Sequence, residues 1–182
     1  MSLTLTEARA RAALVSDVSY EIDLDLTGAD PDTYGCRTTI RFDAAGPDTF
    51  LELTHATGLS LTVDGTPVDR PEYDGRRIAL TGLAGRTEVV VEARVPYVTD
   101  GDGMHAMTDP ADGERYVSAY LSLDVAQRVF PCFDQVDLKA PITLAVTADP
   151  GWTVSAESSS ASPSVSSSWK ATITGNQSSS EI

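Results

Sequence analysis

Apolar and polar residues alternate along much of the chain with a period of two, which is typical of β-strands that have one buried and one exposed face. The clearest run covers residues 18–26. After turn-forming residues at 28–32, a second alternating run covers 34–42. Two such runs joined by a turn predict neighbouring antiparallel strands.

Further short runs predict more strands, at 49–54, 59–63, 77–80, 88–95 and 142–146. Glycine and aspartate turns separate most of them, and helical periodicity is almost absent after residue 15. Before it, residues 6–14 are rich in strong helix formers and begin with Thr6, a residue suited to capping a helix. We therefore predict an all-β, antiparallel sheet or sandwich domain with a short N-terminal helix.

The same pattern divides the chain into three segments. Residues 1–15 form a helical extension, 16–156 the β domain, and 157–182 a serine-rich tail with one last strand at 169–174. Within the β domain, residues 96–113 are polar and rich in glycine and aspartate. We expect a mobile surface loop there, with a functional or lid role as the alternative.

Charge and length narrow the classes of function. The 182 residues carry 27 acidic and 13 basic side chains, a net charge of −14, which argues against nucleic acid or an anionic membrane as a partner. No stretch is apolar enough for a membrane span or a secretory signal, so we expect a soluble cytoplasmic protein. Cys36 and Cys132 lack metal or redox spacing and are expected to be buried thiols in a reducing compartment.

Motifs for catalysis are missing from these residues. His55 and His105 are far apart, and neither lies in an H-E-x-x-H motif, so we predict no metal and no cofactor in this chain. There is no G-x-S-x-G motif, and Cys132 has no histidine nearby in sequence. The chain is therefore expected to be inactive alone.

Charges surround a compact aromatic pair, Phe130 and Phe133. Pro131 should end a helical turn that Asp124 caps, with both phenylalanines anchoring the loop in the core. Arg128 is expected to pair with an acidic neighbour. The segment fits a rigid corner between two strands and is also compatible with a functional wall.

This segment resembles the R-x-F-P-C-F-D-x-P-x-x-K-A pattern of the aminopeptidase N family of zinc metallopeptidases, although Val136 replaces the proline. Residues 11–20 and 103–110 resemble actinobacterial members, so the likeness covers roughly 5–155. The residues we assign to the structural signature are Arg128, Phe130, Pro131, Cys132, Phe133, Asp134, Asp137 and Lys139, and Ala140 also matches.

The resemblance implies a saddle-like N-terminal β domain that covers a catalytic domain and walls its substrate cleft. The full-length parent would remove N-terminal residues from peptides with a zinc ion bound by that later domain. The implied partners are the catalytic domain and the peptide N-terminus. The alternative is a free-standing binding or scaffold module with the same fold and no peptidase activity.

One position departs from the family. A Gln-x-Glu segment, whose carboxylate binds the substrate ammonium group, would fall on residues 120–122, which here read Tyr-Leu-Ser. Asp124 is the nearest acid. By family position, the substrate-binding candidates are Tyr120, Ser122 and Asp124.

Overall fold

The computed structural model describes residues 3–28 and 30–155, together with the backbone of 168–173. In this part of the chain, helix α1 spans Leu5–Leu14 and a 3-10 helix spans Ala126–Arg128. The first strands are β1 (Val15–Asp25), β2 (Thr33–Ala44), β3 (Thr49–Glu52), β4 (Thr57–Val63), β5 (Thr66–Pro67) and β6 (Arg77–Leu80). They are followed by β7 (Gly85–Pro96), β8 (Gly103–Thr108), β9 (Arg115–Tyr120), β10 (Ile142–Thr147) and β11 (Ser168–Ile173).

Seven strands form the main sheet, in the order β11-β10-β1-β2-β7-β4-β5, while β3 pairs with β6 and β8 pairs with β9. The all-β class with a short N-terminal helix is confirmed. The sheet is not purely antiparallel, because β10 runs parallel to β1, from Tyr20 opposite Ile142 to Asp25 opposite Thr147. A parallel pair needs a long connection, and the whole chain from the end of β1 to the start of β10 supplies it.

Helix α1 begins two residues earlier than the composition predicts. Thr4, and not Thr6, is the N-cap, and it forms a capping box with Glu7. Arg77 and Thr4 hydrogen bond to the Glu7 carboxylate and lower its pKa to about 2. A threonine three residues before a glutamate was therefore the better signal for the helix start.

The core lies between the main sheet and a second layer. The inward side chains of β1, β2 and β7 pack against β3, β6 and residues 129–133 in one hydrophobic cluster. A bulge in β1 between Ser16 and Ser19, with Asp17 at a φ of 49°, lets both Val15 and Val18 point inward. The second layer consequently carries the signature residues into the centre of the domain.

The segment predicted as a mobile loop contains a strand. Residues 103–108 form β8 and pair with β9, from Gly103 opposite Tyr120 to Thr108 opposite Arg115. The alternation there is weak, which explains why the pattern missed this hairpin. Backbone bonds between Val98 and its partners Met104 and Ala106 anchor the hairpin.

Strand β11 pairs antiparallel with β10 where the pattern predicted a final strand at 169–174. Residue 174 and most of the serine-rich segment lie outside the described residues. The division into three segments stays a prediction.

Candidate functional site

A groove of about 610 Å³ opens beside the segment that the sequence singled out. One wall is formed by residues 130–135, which we call the signature loop. The opposite wall is formed by residues 120–123, the end of a segment, residues 116–123, that we call the rim. Lys139 and Ala140 complete the groove near the start of β10. The topology brings these segments together because the chain leaves β9 through the 3-10 helix and the loop before entering β10.

Tyrosine hydroxyl groups from the main sheet hold the signature loop and the residue before it. Tyr34 donates to the Val129 carbonyl oxygen at 2.8 Å, and Tyr20 accepts from the Phe133 N–H at 3.0 Å. Burial raises the pKa of both phenols above the ordinary value, so both remain neutral donors or acceptors at neutral pH.

The two signature phenylalanines are buried, as the sequence predicted. Phe133 meets Phe42 edge-on at 5.1 Å between ring centroids, and Phe130 lies 6.3 Å from Tyr20. Both geometries are favourable for aromatic pairs. The loop is therefore fixed by its side chains as well as by its backbone.

Both thiols are buried and free, which agrees with the expectation for two structural cysteines. Burial raises the pKa of Cys36 to about 12 and that of Cys132 well above its usual range. A thiol that stays protonated is a poor nucleophile and a poor metal ligand.

Beneath the loop lies a buried ion pair. Arg11 of α1 donates to both carboxylate oxygens of Glu52 at 2.9 and 2.8 Å, and to Gln135 Oε1 at 2.8 Å. Glu52 also accepts from the Asp134 N–H at 3.1 Å. Burial raises the pKa of Glu52, while Arg11 acts in the opposite direction.

The entrance to the loop differs from the prediction. The 3-10 helix starts at Ala126 with Val125 as N-cap and no side-chain cap, so the expectation that Asp124 caps this turn was wrong. Asp124 has a φ of 62° and accepts instead from Gln127 Nε2 at 2.7 Å. The same amide lies 3.4 Å from Asp134, whose pKa burial raises.

Arg128 pairs with acids outside the signature. Its guanidinium lies 2.6 Å from Asp100 and 4.0 Å from Asp102, both in the loop before β8. Arg128 thus ties the 3-10 helix to the hairpin rather than to Asp134 or Asp137. The described residues give Asp137 and Lys139 no ion pair, and both side chains are exposed.

The rim is exposed although it is rich in large apolar side chains. Leu123 is 72% exposed and Tyr120 58%, and Tyr116 and Leu121 are also open. Ser122 is exposed between them. Of the three substrate-binding candidates, Tyr120 and Ser122 line the groove, whereas Asp124, which alone of the three has a carboxylate, is not among the lining residues.

A zinc ion has no suitable ligands here. Within 3–28 and 30–155, no group of three or more histidine, cysteine or acidic side chains could hold a metal. His55 lies in the connection after β3, and His105 lies in β8. The described part of the chain therefore does not offer a ligand set that fits zinc.

Sequence reasoning missed the polar group under the loop: Arg11, Glu52, Gln127 and Gln135. Arg11 lies in an alanine-rich helix and Glu52 in an ordinary strand, so neither carries a local signal. Their burial arises only when α1, β3 and the signature loop meet. Gln135 lies inside the matched motif, at a position where the pattern allows any residue.

Three comparisons relate the chain to known proteins. It is 42% identical over 167 residues to an aminopeptidase N from Streptomyces lividans, covering 89% of this chain and 20% of that protein. Its fold matches a yeast LTA4 hydrolase with a TM-score of 0.70 and 14% identity, over 88% of this chain and 27% of that one. It also matches an M1 zinc metallopeptidase from Deinococcus radiodurans bound to a Tyr-Ser-Ala substrate, with a TM-score of 0.63, 16% identity and coverage of 90% and 39%.

No protein-family model matches the chain. The chain spans about a fifth of the length of the curated relative, and less than half of each solved structure. Among the described residues, no helix is long and apolar enough to cross a membrane.

Proposed function

Because the chain belongs to the aminopeptidase N family, as its N-terminal domain, we propose that it acts as a non-catalytic cover in a longer zinc-dependent aminopeptidase. In that protein the domain would lie on the catalytic domain and form one wall of the substrate cleft. The peptide N-terminus would be held between the two.

The observation that carries this proposal is the groove between the signature loop and the rim. Its inner wall is fixed by buried contacts, while Tyr120, Leu121 and Leu123 stand in solvent on the other side. Several exposed large apolar side chains next to a groove are typical of a surface that another protein or domain covers. This chain covers only 20% of its aminopeptidase N relative, so the remainder of such a protein is a candidate partner for this exposed surface.

Asp124 is the proposed contact for the substrate ammonium group. Tyr120 and Ser122 can supply only hydroxyl groups, which bind a free amine less strongly than a carboxylate does. Asp124 is exposed and directly follows Leu123, which lines the groove, and Gln127 donates to its carboxylate at 2.7 Å. Tyr120 and Ser122 would then contribute to the same end of the cleft.

Zinc would be bound by the catalytic domain, since the described residues of this chain offer no site for it. We also propose a cytoplasmic location, which the two buried free thiols favour because reduced cysteines persist in that compartment.

The test compares this chain with a longer polypeptide that includes the downstream region, using an aminoacyl fluorogenic substrate with and without a chelator. We expect no turnover by this chain and chelator-sensitive turnover by the longer one. In the longer protein, Leu123→Asp should lower kcat/KM by about tenfold, a loss of ~1.4 kcal/mol. Val68→Asp, at an exposed apolar position that does not line the groove, is the matched control.

Chelator-sensitive turnover by this chain alone would contradict the non-catalytic role. An equal effect of Leu123→Asp and Val68→Asp would contradict the role of the rim.

The second candidate is a free-standing binding or scaffold module. The absence of a carboxylate at residues 120–122 favours it. The two candidates differ in the residues encoded downstream of this region, since an H-E-x-x-H motif within about one further domain supports the cover domain. Its absence supports the binding module.

A further inference from the structure

Helix α1 places one apolar side chain, the partly buried Leu14, against the hydrophobic core. Of its ten residues only Arg11 is buried, at 3% exposure, while Leu5 is 66% exposed. A ten-residue helix is marginal in water by itself, even with a good cap. Besides Leu14, the position of α1 depends on polar contacts: the Glu7–Arg77 ion pair at 2.6 Å and the hydrogen bonds of Arg11.

Arg11 and Gln135 join the helix directly to the signature loop. Arg11 Nε donates to Gln135 Oε1 at 2.8 Å, and Gln135 Nε2 donates back to the Ala8 carbonyl oxygen at 2.9 Å. The guanidinium also lies over the rings of Phe50 and Phe133, at 4.9 and 5.6 Å from their centroids. The last residue of the loop is thus bonded to the helix twice.

Glu52 connects Arg11 to two further residues of the loop, Cys132 and Asp134. Its carboxylate binds Arg11 and accepts from the Asp134 N–H, and its backbone exchanges two hydrogen bonds with Cys132. The other two N–H groups of residues 132–135 have different acceptors: Phe133 donates to the Tyr20 hydroxyl, and Gln135 donates to the Phe133 carbonyl oxygen. Residues 132–135 all line the groove.

Loss of the Arg11 charge would disturb several of these contacts together. Without the guanidinium, the Glu52 carboxylate would be buried beside the partly buried Asp134 with no compensating charge, which is strongly unfavourable. Gln135 Oε1 would lose its donor, and the carboxylate that accepts from the Asp134 N–H would no longer be held by Arg11. The loop would have to move to let water reach them.

We propose that Arg11 is a positioning residue, through which the docking of α1 sets the conformation of the groove wall at residues 134–135. The groove is then complete only while α1 is docked. This inference concerns contacts inside this chain and does not depend on the proposed peptidase role.

The test is residue-resolved amide hydrogen exchange by NMR on the whole chain. In Arg11→Met, the Asp134 and Gln135 amides should exchange at least about tenfold faster, relative to Val89 and Val91 of β7, than in the unmodified protein. Arg11→Lys should retain part of the protection because one ammonium can still reach Glu52. Arg9→Met, on the exposed face of the same helix, should change neither amide.

A double variant separates positioning from folding. Arg11→Met with Glu52→Leu replaces the buried pair by apolar residues, which should restore much of the free energy of unfolding. Residues 134–135 should still exchange faster than in the unmodified protein, because Asp134 has lost its Glu52 acceptor and the Gln135 side chain has lost its Arg11 donor. Restored protection in the double variant would overturn the proposal, as would a uniform acceleration that includes β7 in a folded Arg11→Met.

Discussion

The signature loop and the rim line the same groove but are built in opposite ways. In the loop, backbone groups and side chains are bonded to β1, β3 and α1, and the aromatic rings are buried. In the rim, side chains of similar size and apolarity stand in solvent. The difference indicates that contacts within this chain fix one wall of the groove, while the other wall is left exposed.

The largest expected effect is a difference in unfolding free energy between a variant in the signature loop and one in the rim. Phe133→Ala removes a ring packed on Phe42 and should lower the free energy of unfolding by about 3–5 kcal/mol, since the site cannot collapse around the lost volume. Tyr120→Ala in the rim should change it by no more than about 0.5 kcal/mol. Chemical denaturation followed by circular dichroism measures both. Similar losses in the two variants would remove the distinction between fixed and open walls.

A smaller effect tests a single hydrogen bond in each region. Tyr34→Phe deletes the buried donor to the Val129 carbonyl and should cost about 1 kcal/mol of unfolding free energy. Tyr116→Phe deletes an exposed bond to Asp112 and should cost about 0.5 kcal/mol or less. Equal values from urea titrations would show that burial does not strengthen the loop contacts.

The same contrast explains what the sequence could predict. Strong alternation in β1, β2 and β7 follows directly from one buried and one exposed face, so these strands were found close to their observed bounds. Phe130 and Phe133, which flank Pro131 and Cys132, were correctly placed in the core because large aromatic side chains are usually removed from water.

Contacts between distant segments were not predictable in the same way. The partner of Arg128 is Asp100, 28 positions away, and Arg11 meets Glu52 and Gln135 across 41 and 124 positions. The local pattern of apolar and polar residues carries no information about such long-range pairings. The parallel return of β10 was missed for the same reason, since alternation is identical in parallel and antiparallel strands that expose one face.

The last expected effect is a pair of opposite pH dependences. Burial raises the pKa of Asp134 in the signature loop, so its contribution to stability is present at low pH and is lost as pH rises through the folded-state value. At Asp112, next to the rim, bonds from the Glu114 N–H and the Tyr116 hydroxyl lower the pKa. Its contribution is therefore present above the ordinary value and is lost as pH falls through the folded-state value.

Asparagine variants test the direction of both pH dependences. As pH rises from about 3 to 7, Asp134→Asn should gain stability relative to the unmodified protein, by no more than about 1.4 kcal/mol per pH unit, because a single proton is involved. Asp112→Asn should lose relative stability over the same range, because it lacks a carboxylate that folding favours. Unfolding free energies at several pH values give both slopes. Slopes of the same sign would mean that burial does not control the charge of the loop, and that the two walls share one electrostatic environment.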